Sequence, residues 1–216
     1  MFRHIHHALA QVHELRERIL EKQRFKGYSG RARAICGTLA LITAMIMSWP
    51  GFFGQPKAHV IGWGLTCFVA VLINFGALVY WFLFDPDTKR DVRKLKPVFD
   101  VMPSIFVGGV LTFIMLSNGH HQYLFGVWMS LYGLANLASR HVLPRAIVWI
   151  GFYYICAGTI CLLAPPTNFT NPWPMGIVFF AGEWLGGMIL HYDGEVPRNL
   201  STFFYPTKLT NDEEEL

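Results

Sequence analysis

Residues 60–84 read VIGWGLTCFVAVLINFGALVYWFLF, a run without a single Asp, Glu, Lys, Arg or His. A helix that crosses a bilayer needs roughly 20 consecutive, mostly apolar residues, and this stretch exceeds that. A barrel strand would alternate apolar and polar side chains, and no such alternation occurs here. The segment therefore reads as a membrane-spanning helix, with Asn74 as its strongly polar side chain. Working outward, five further runs fit the same description: residues 34–53, 101–117, 122–139, 146–164 and 172–190. The run over 101–117 is the shortest. Arg140 and Pro144 leave room only for a tight turn between the fourth and fifth.

Composition agrees with this reading. The chain has 216 residues, of which 53% are hydrophobic and 15% charged, against roughly 25% charged in an average soluble domain. So few charges cannot cover the surface of a soluble protein of this size, and so apolar a chain is not intrinsically disordered. The 18 basic and 14 acidic residues nearly balance, and the net charge of +4 is no footprint of direct nucleic-acid binding. The expected fold is an all-α, polytopic six-helix membrane bundle. Residues 1–30 form a cytoplasmic amphipathic helix and linker, residues 31–190 the transmembrane domain with a loop over 85–100, and residues 191–216 a cytoplasmic tail.

Lys and Arg accumulate on the cytoplasmic side of membrane proteins, and here they segregate almost completely. Eight precede the first span (Arg33 the last of them), Lys89, Arg90, Arg93, Lys94 and Lys96 follow the second, and Arg140 and Arg145 follow the fourth. Arg198 and Lys208 follow the sixth, which leaves Lys57 on the other side. Both termini are therefore expected in the cytoplasm of a bacterial inner-membrane protein. Trp49, Trp63, Trp128 and Trp173 fall near the outer helix ends, and Trp81, Trp149 and Tyr192 near the inner ends, where amphipathic rings prefer the headgroup level. The first 33 residues lack the apolar core of a signal peptide.

Before the first span, Ile5, Ala8, Val12, Leu15 and Ile19 recur at steps of three and four. This is the apolar seam of an amphipathic helix. It fits a helix lying on anionic lipid at the inner leaflet, or one that binds a protein partner or a second copy of the chain. Asp85-Pro86-Asp87 starts a second short helix, whose basic residues Lys89, Arg90, Arg93, Lys94 and Lys96 suit lipid or partner contact. The run Asp212-Glu213-Glu214-Glu215 reads as a solvated terminus.

Inside the membrane, the even-numbered spans each carry one strongly polar group: Asn74, Asn136 and Glu183. An acid at that depth costs several kcal/mol, on the order of 2.5–3.5, unless it is paired, protonated or hydrated. Two roles stay open for Glu183: a proton or cation site with Asn74 and Asn136, or an interhelical hydrogen-bonding group. Gly182 and Gly186 flank it in a GxxxG pattern that lets another helix approach closely, and Ala135/Ser139 and Ala40/Ala44 repeat the theme.

Cys36, Cys67, Cys156 and Cys161 all lie within spans, so no disulfide framework is expected. His59, His120 and His121 could gather a transition metal at the outer side, but no spacing demands it; they read as ordinary polar edge residues at the interface, and no metal or cofactor is assigned. Asn168-Phe169-Thr170 matches a glycosylation sequon that carries no meaning in a bacterial inner membrane. No P-loop, dinucleotide fingerprint, nucleophile elbow or zinc-protease motif is present, and no enzyme activity is expected.

Two stretches carry a resemblance: Glu21-Lys22-Gln23-Arg24-Phe25-Lys26-Gly27-Tyr28-Ser29-Gly30, and Tyr132-Gly133-Leu134-Ala135-Asn136 with the following 149–158 segment WIGFYYICAG. They are similar to a group of uncharacterised bacterial six-span integral membrane proteins of about this length. Members of that group usually carry a Phe-Gly and a His in the sixth span. Ala181-Gly182-Glu183-Trp184-Leu185 stands in the corresponding place here, so no role of that His carries over. The resemblance implies no activity. It does imply a sensing or sequestering role beside small winged-helix regulators. Together these readings lead to a non-enzymatic sensor, scaffold or complex subunit acting through its cytoplasmic face. The alternative is a small proton- or cation-linked transporter or channel built on Glu183.

Overall fold

The computed structural model describes residues 28–49, 56–84, 96–141, 143–163 and 169–192. Every regular element among them is helical: α1 (Gly30–Met47), α2 (Pro56–Phe84), α3 (Lys96–Ser117), α4 (Leu124–Ala138), α5 (Ile147–Leu163) and α6 (Trp173–Tyr192). Each coincides with one apolar run of the sequence. The N-terminal amphipathic segment, Lys89, Arg90, Arg93 and Lys94, and the acidic tail lie outside the described residues. Lys96 is the first residue of α3.

Local chemistry sets the helix ends. Ser29 caps α1, its hydroxyl accepting from the Ala32 N–H at 3.3 Å, which satisfies one of the donors a helix start leaves open. At the far end of α3, Gly119 adopts φ +74°. The His120 N–H then reaches the Met115 carbonyl at 2.7 Å and the Gly119 N–H the Leu116 carbonyl at 3.3 Å. That pairing is the Schellman termination, which glycine enters without steric cost.

The helices α1, α2, α3 and α6 are long and apolar enough to cross a membrane, and α5 is a shorter apolar helix. The expected order of lengths is corrected here. The third run is not the shortest, because α3 starts at Lys96 and spans 22 residues. Pro97 falls in its first turn, where a missing N–H leaves no bond unmade. The shortest helix is α4, with 15 residues, flanked by single 3-10 turns at His121–Tyr123 and Ser139–His141.

Two close antiparallel pairs make the centre of the bundle. In the α4/α5 pair, a Cβ on Gly126 would lie 2.8 Å from the Gly158 carbonyl, and one on Gly133 2.7 Å from the Gly151 carbonyl. Both contacts are reciprocal, and the glycines recur at intervals of seven on each helix. In the α1/α6 pair, Gly30 and Gly187 meet backbone to backbone, and Ala44 sits against Gly176. Lipid chains are as apolar as leucine, so burial gives little drive for association. Close backbone approach through small residues supplies van der Waals contact instead.

The other two helices lean on these pairs from one side each. Thr43 of α1 and Thr66 of α2 share a hydrogen bond of 2.8 Å. Trp128 of α4 donates to Thr112 of α3 at 2.8 Å. Elsewhere α2 and α3 turn large apolar side chains outward, among them Leu65, Phe68, Phe106 and Phe113, a surface suited to lipid rather than water. At the end where α1 finishes, Phe125, Met129, Phe169 and Met175 form a packed core together with Trp63. Trp63 is thus corrected from interface anchor to core residue: it is 4% exposed and packs edge-on to Phe125. His59, expected as a polar edge residue, is likewise fully buried, its ring against Phe169.

The glycine contacts generate a test. Gly158→Val drives a side chain into Ser130 and the Gly126 carbonyl and is expected to cost about 1–3 kcal/mol. Gly64→Val, at a position with open space around it, should leave the thermal unfolding midpoint in detergent unchanged. Equal midpoints for the two variants would show that α4 and α5 are not closely packed.

Candidate functional site

Two of the three polar span residues, Asn136 and Glu183, meet where α1, α4, α5 and α6 converge. Ser29 starts α1 one turn before Arg33, so the guanidinium enters the bundle instead of preceding it. Arg33 is 8% exposed and Glu183 of α6 is 3% exposed. The Arg33 Nη2 donates to Glu183 Oε1 at 3.1 Å and to Asn136 Oδ1 at 2.8 Å. Its Nε lies 3.0 Å from Glu183 Oε2, an ion pair by distance whose N–H points off the hydrogen-bonding line. From α5, the Tyr154 hydroxyl donates to Glu183 Oε1 at 2.8 Å. Asn136 completes its amide by donating to the Tyr132 carbonyl at 2.9 Å.

Two expectations change with this geometry. Glu183 is not a solitary acid in the membrane, because Arg33 neutralises it. Arg33 is not a flanking topology residue, because its side chain is consumed inside the fold. The planar guanidinium fork meets both carboxylate oxygens, a match that Lys would not provide. A desolvated pair of this kind contributes little net stability, yet removing one partner costs about 3–5 kcal/mol, since the other charge stays buried and uncompensated.

Glycine makes the space. A Cβ on Gly186 would sit 2.7 Å from the Arg33 guanidinium carbon, and one on Gly182 2.5 Å from the Tyr154 hydroxyl. The GxxxG pair therefore faces two neighbours, with Gly186 receiving a side chain of α1 and Gly182 one of α5. A Cβ on Gly37 of α1 would lie 2.8 Å from the Cβ of Glu183. Around the ions, Tyr132 stands edge-on to Tyr154, and Phe179 packs against both rings.

Asn74 stands apart from the ions. Its amide donates to Cys36 Sγ at 3.0 Å and to the Ala70 carbonyl of its own helix at 2.9 Å, tying α2 to α1 one turn beyond Arg33. Of the three polar span residues, the structure thus brings together Glu183 and Asn136 and leaves Asn74 on a neighbouring face. Just outside the spans, burial raises the Tyr28 phenol above its ordinary range, with Arg33 opposing and Asp100 adding to the shift.

Sequence reasoning missed Arg33 and Tyr154. The Ser29 cap with Gly30 behind it places both Arg31 and Arg33 inside the first helix, but it does not say which of them turns into the bundle. Tyr154 offered no signal, since nothing local separates it from the adjacent Tyr153, which donates to the Val178 carbonyl at 3.1 Å instead. Among the described residues, no group of three or more His, Cys, Asp or Glu is arranged to hold a metal ion. The four cysteines are free thiols.

Fold and site together define a helical membrane bundle whose first and last described helices are joined by a buried ion pair. No family model matches the chain, and comparison with curated proteins and with solved structures returns no match.

The cluster predicts a graded mutational pattern. Tyr154→Phe and Asn136→Leu each strip a partner from a buried ion and should cost about 1–3 kcal/mol. Asn74→Leu, which touches neither ion, should cost under about 1 kcal/mol. Chemical denaturation in detergent measures all three, and an Asn74 effect as large as the Tyr154 effect would displace Glu183 as the pivot.

Proposed function

We propose that the chain is a six-span bacterial inner-membrane protein with both termini in the cytoplasm. It acts there, without enzymatic activity, as a sensor, scaffold or subunit of a membrane complex. The observation that carries this reading is the closure of the Arg33–Glu183–Asn136–Tyr154 cluster upon itself. The intramembrane acid is engaged by two donors from other helices and serves as the lock of a tight bundle. The charge left for recognition is then carried outside the spans, on the N-terminal segment, the 85–95 loop and the tail. Lys89, Arg90, Arg93, Lys94 and Lys96 supply a basic surface for anionic lipid. The N-terminal segment, with Ile5, Ala8, Val12, Leu15 and Ile19 at steps of three and four, supplies the surface for a protein partner or a second copy.

Affinity capture from detergent-solubilised membranes tests it. The full chain should retain specific partners that a chain lacking residues 1–26 loses, and identical recovery from both would overturn the role of that segment.

A second reading rests on one feature of the same cluster. Glu183 Oε1 accepts from two different donors, Arg33 and Tyr154, a setting in which a carboxylate can exchange partners during proton or cation transport. Under this reading Glu183→Gln abolishes a pH-driven flux in proteoliposomes. A wild-type protein that carries no flux, or a variant that carries as much, removes it.

A further inference from the structure

The four long spans fall into two kinds. The helices α2 and α3 are strongly apolar and almost wholly outward-facing, whereas α1 and α6 are less apolar and much more buried. Each of the latter two also brings an ionised residue into the bundle, Arg33 on α1 and Glu183 on α6. An Arg one turn inside a helix end would ordinarily extend its side chain back to the headgroups. Arg33 does not: it is 8% exposed and turned toward α6. The receiving surface on α6 is moulded for it. Gly186 leaves open the place that the guanidinium occupies, Glu183 supplies both carboxylate oxygens, and Gly187 lets the α1 backbone approach at Gly30.

We infer that α1 and α6 hold their transmembrane positions as an obligate pair, with the Glu183–Gly186 surface of α6 drawing Arg33 off the membrane interface and fixing how deeply α1 sits. The partners lie 150 residues apart in the chain, so α1 reaches its final depth only after α6 is made. The α4/α5 pair, joined by a short connection, closes locally and needs no such step. The two ions are not equivalent. A carboxyl left unpaired can take up a proton, whereas a guanidinium stays charged. Loss of Glu183 therefore displaces α1 more than loss of Arg33 does.

The test uses the full-length chain carrying Trp49→Cys, at the outer end of α1 where Trp49 is 75% exposed, and a membrane-impermeant maleimide applied to intact cells, with the labelling of the chain that keeps Trp49 and its four native thiols subtracted. Labelling is normalised to the amount of chain in the membrane. Glu183→Leu should lower the labelled fraction roughly tenfold by leaving Arg33 unpaired. Arg33→Met should lower it less, and the double variant Arg33→Met/Glu183→Leu should return it to within about twofold of the parent. Gly186→Val, which fills the guanidinium space and keeps both charges, should act in the same direction as Glu183→Leu. Parental labelling of Glu183→Leu overturns the inference, and so does failure of the double variant to recover, because damage unrelated to the unpaired Arg33 would then be responsible.

Discussion

A charge held away from water needs a counter-charge, and in this protein the demand falls on Arg33 and Glu183. Their side chains come from opposite ends of the described sequence, so meeting that demand forces α1 and α6 together. Once they are together, the approach distance is set by Gly30, Gly37, Gly186 and Gly187, each occupying a place where a larger residue would strike backbone or side chain. Asn136 and Tyr154 then bring the α4/α5 pair against the ions. Four helices are thus positioned by one electrostatic requirement and by the space that glycine leaves for it.

The two helices outside this arrangement behave differently for the same physical reason. Neither α2 nor α3 places an ionised residue in the bundle among its described contacts. Both are joined to it by neutral hydrogen bonds, through Thr66 and Asn74 on α2 and Thr112 on α3. Each such bond contributes only about 1 kcal/mol, since a partly unfolded helix in a membrane also finds partners. The bundle therefore has a closely packed four-helix centre and two flanking helices turned largely to lipid.

Much of the architecture was legible in the chain. The six apolar runs of residues 34–53, 60–84, 101–117, 122–139, 146–164 and 172–190 each became a helix, because a helix satisfies its backbone hydrogen bonds internally wherever water is absent. Helix ends were less legible: the first helix begins at Gly30 behind the Ser29 cap, four residues before the apolar run that announced it. Pairing was harder to read. Trp63 and His59 looked like interface residues from their positions near a helix end, yet both are buried, since Phe125 and Phe169 from distant segments cover them. Asn74, Asn136 and Glu183 looked equivalent by depth, and rotation about each helix axis separated the first from the other two.

Apolarity and helix period are properties of consecutive residues, so the run lengths and the polar exceptions within them were enough to establish an all-α membrane bundle with Glu183 as its most demanding residue. The partner of Glu183 was another matter. Several arginines and lysines stand near the ends of the spans, and no local pattern distinguishes Arg33 from Arg31 or Arg140. The choice depends on which helix faces run side by side across a separation of 150 residues, and on where missing Cβ atoms leave room for a guanidinium. The three-dimensional packing made that selection and turned an apparent lone acid into the joint between the first span and the last.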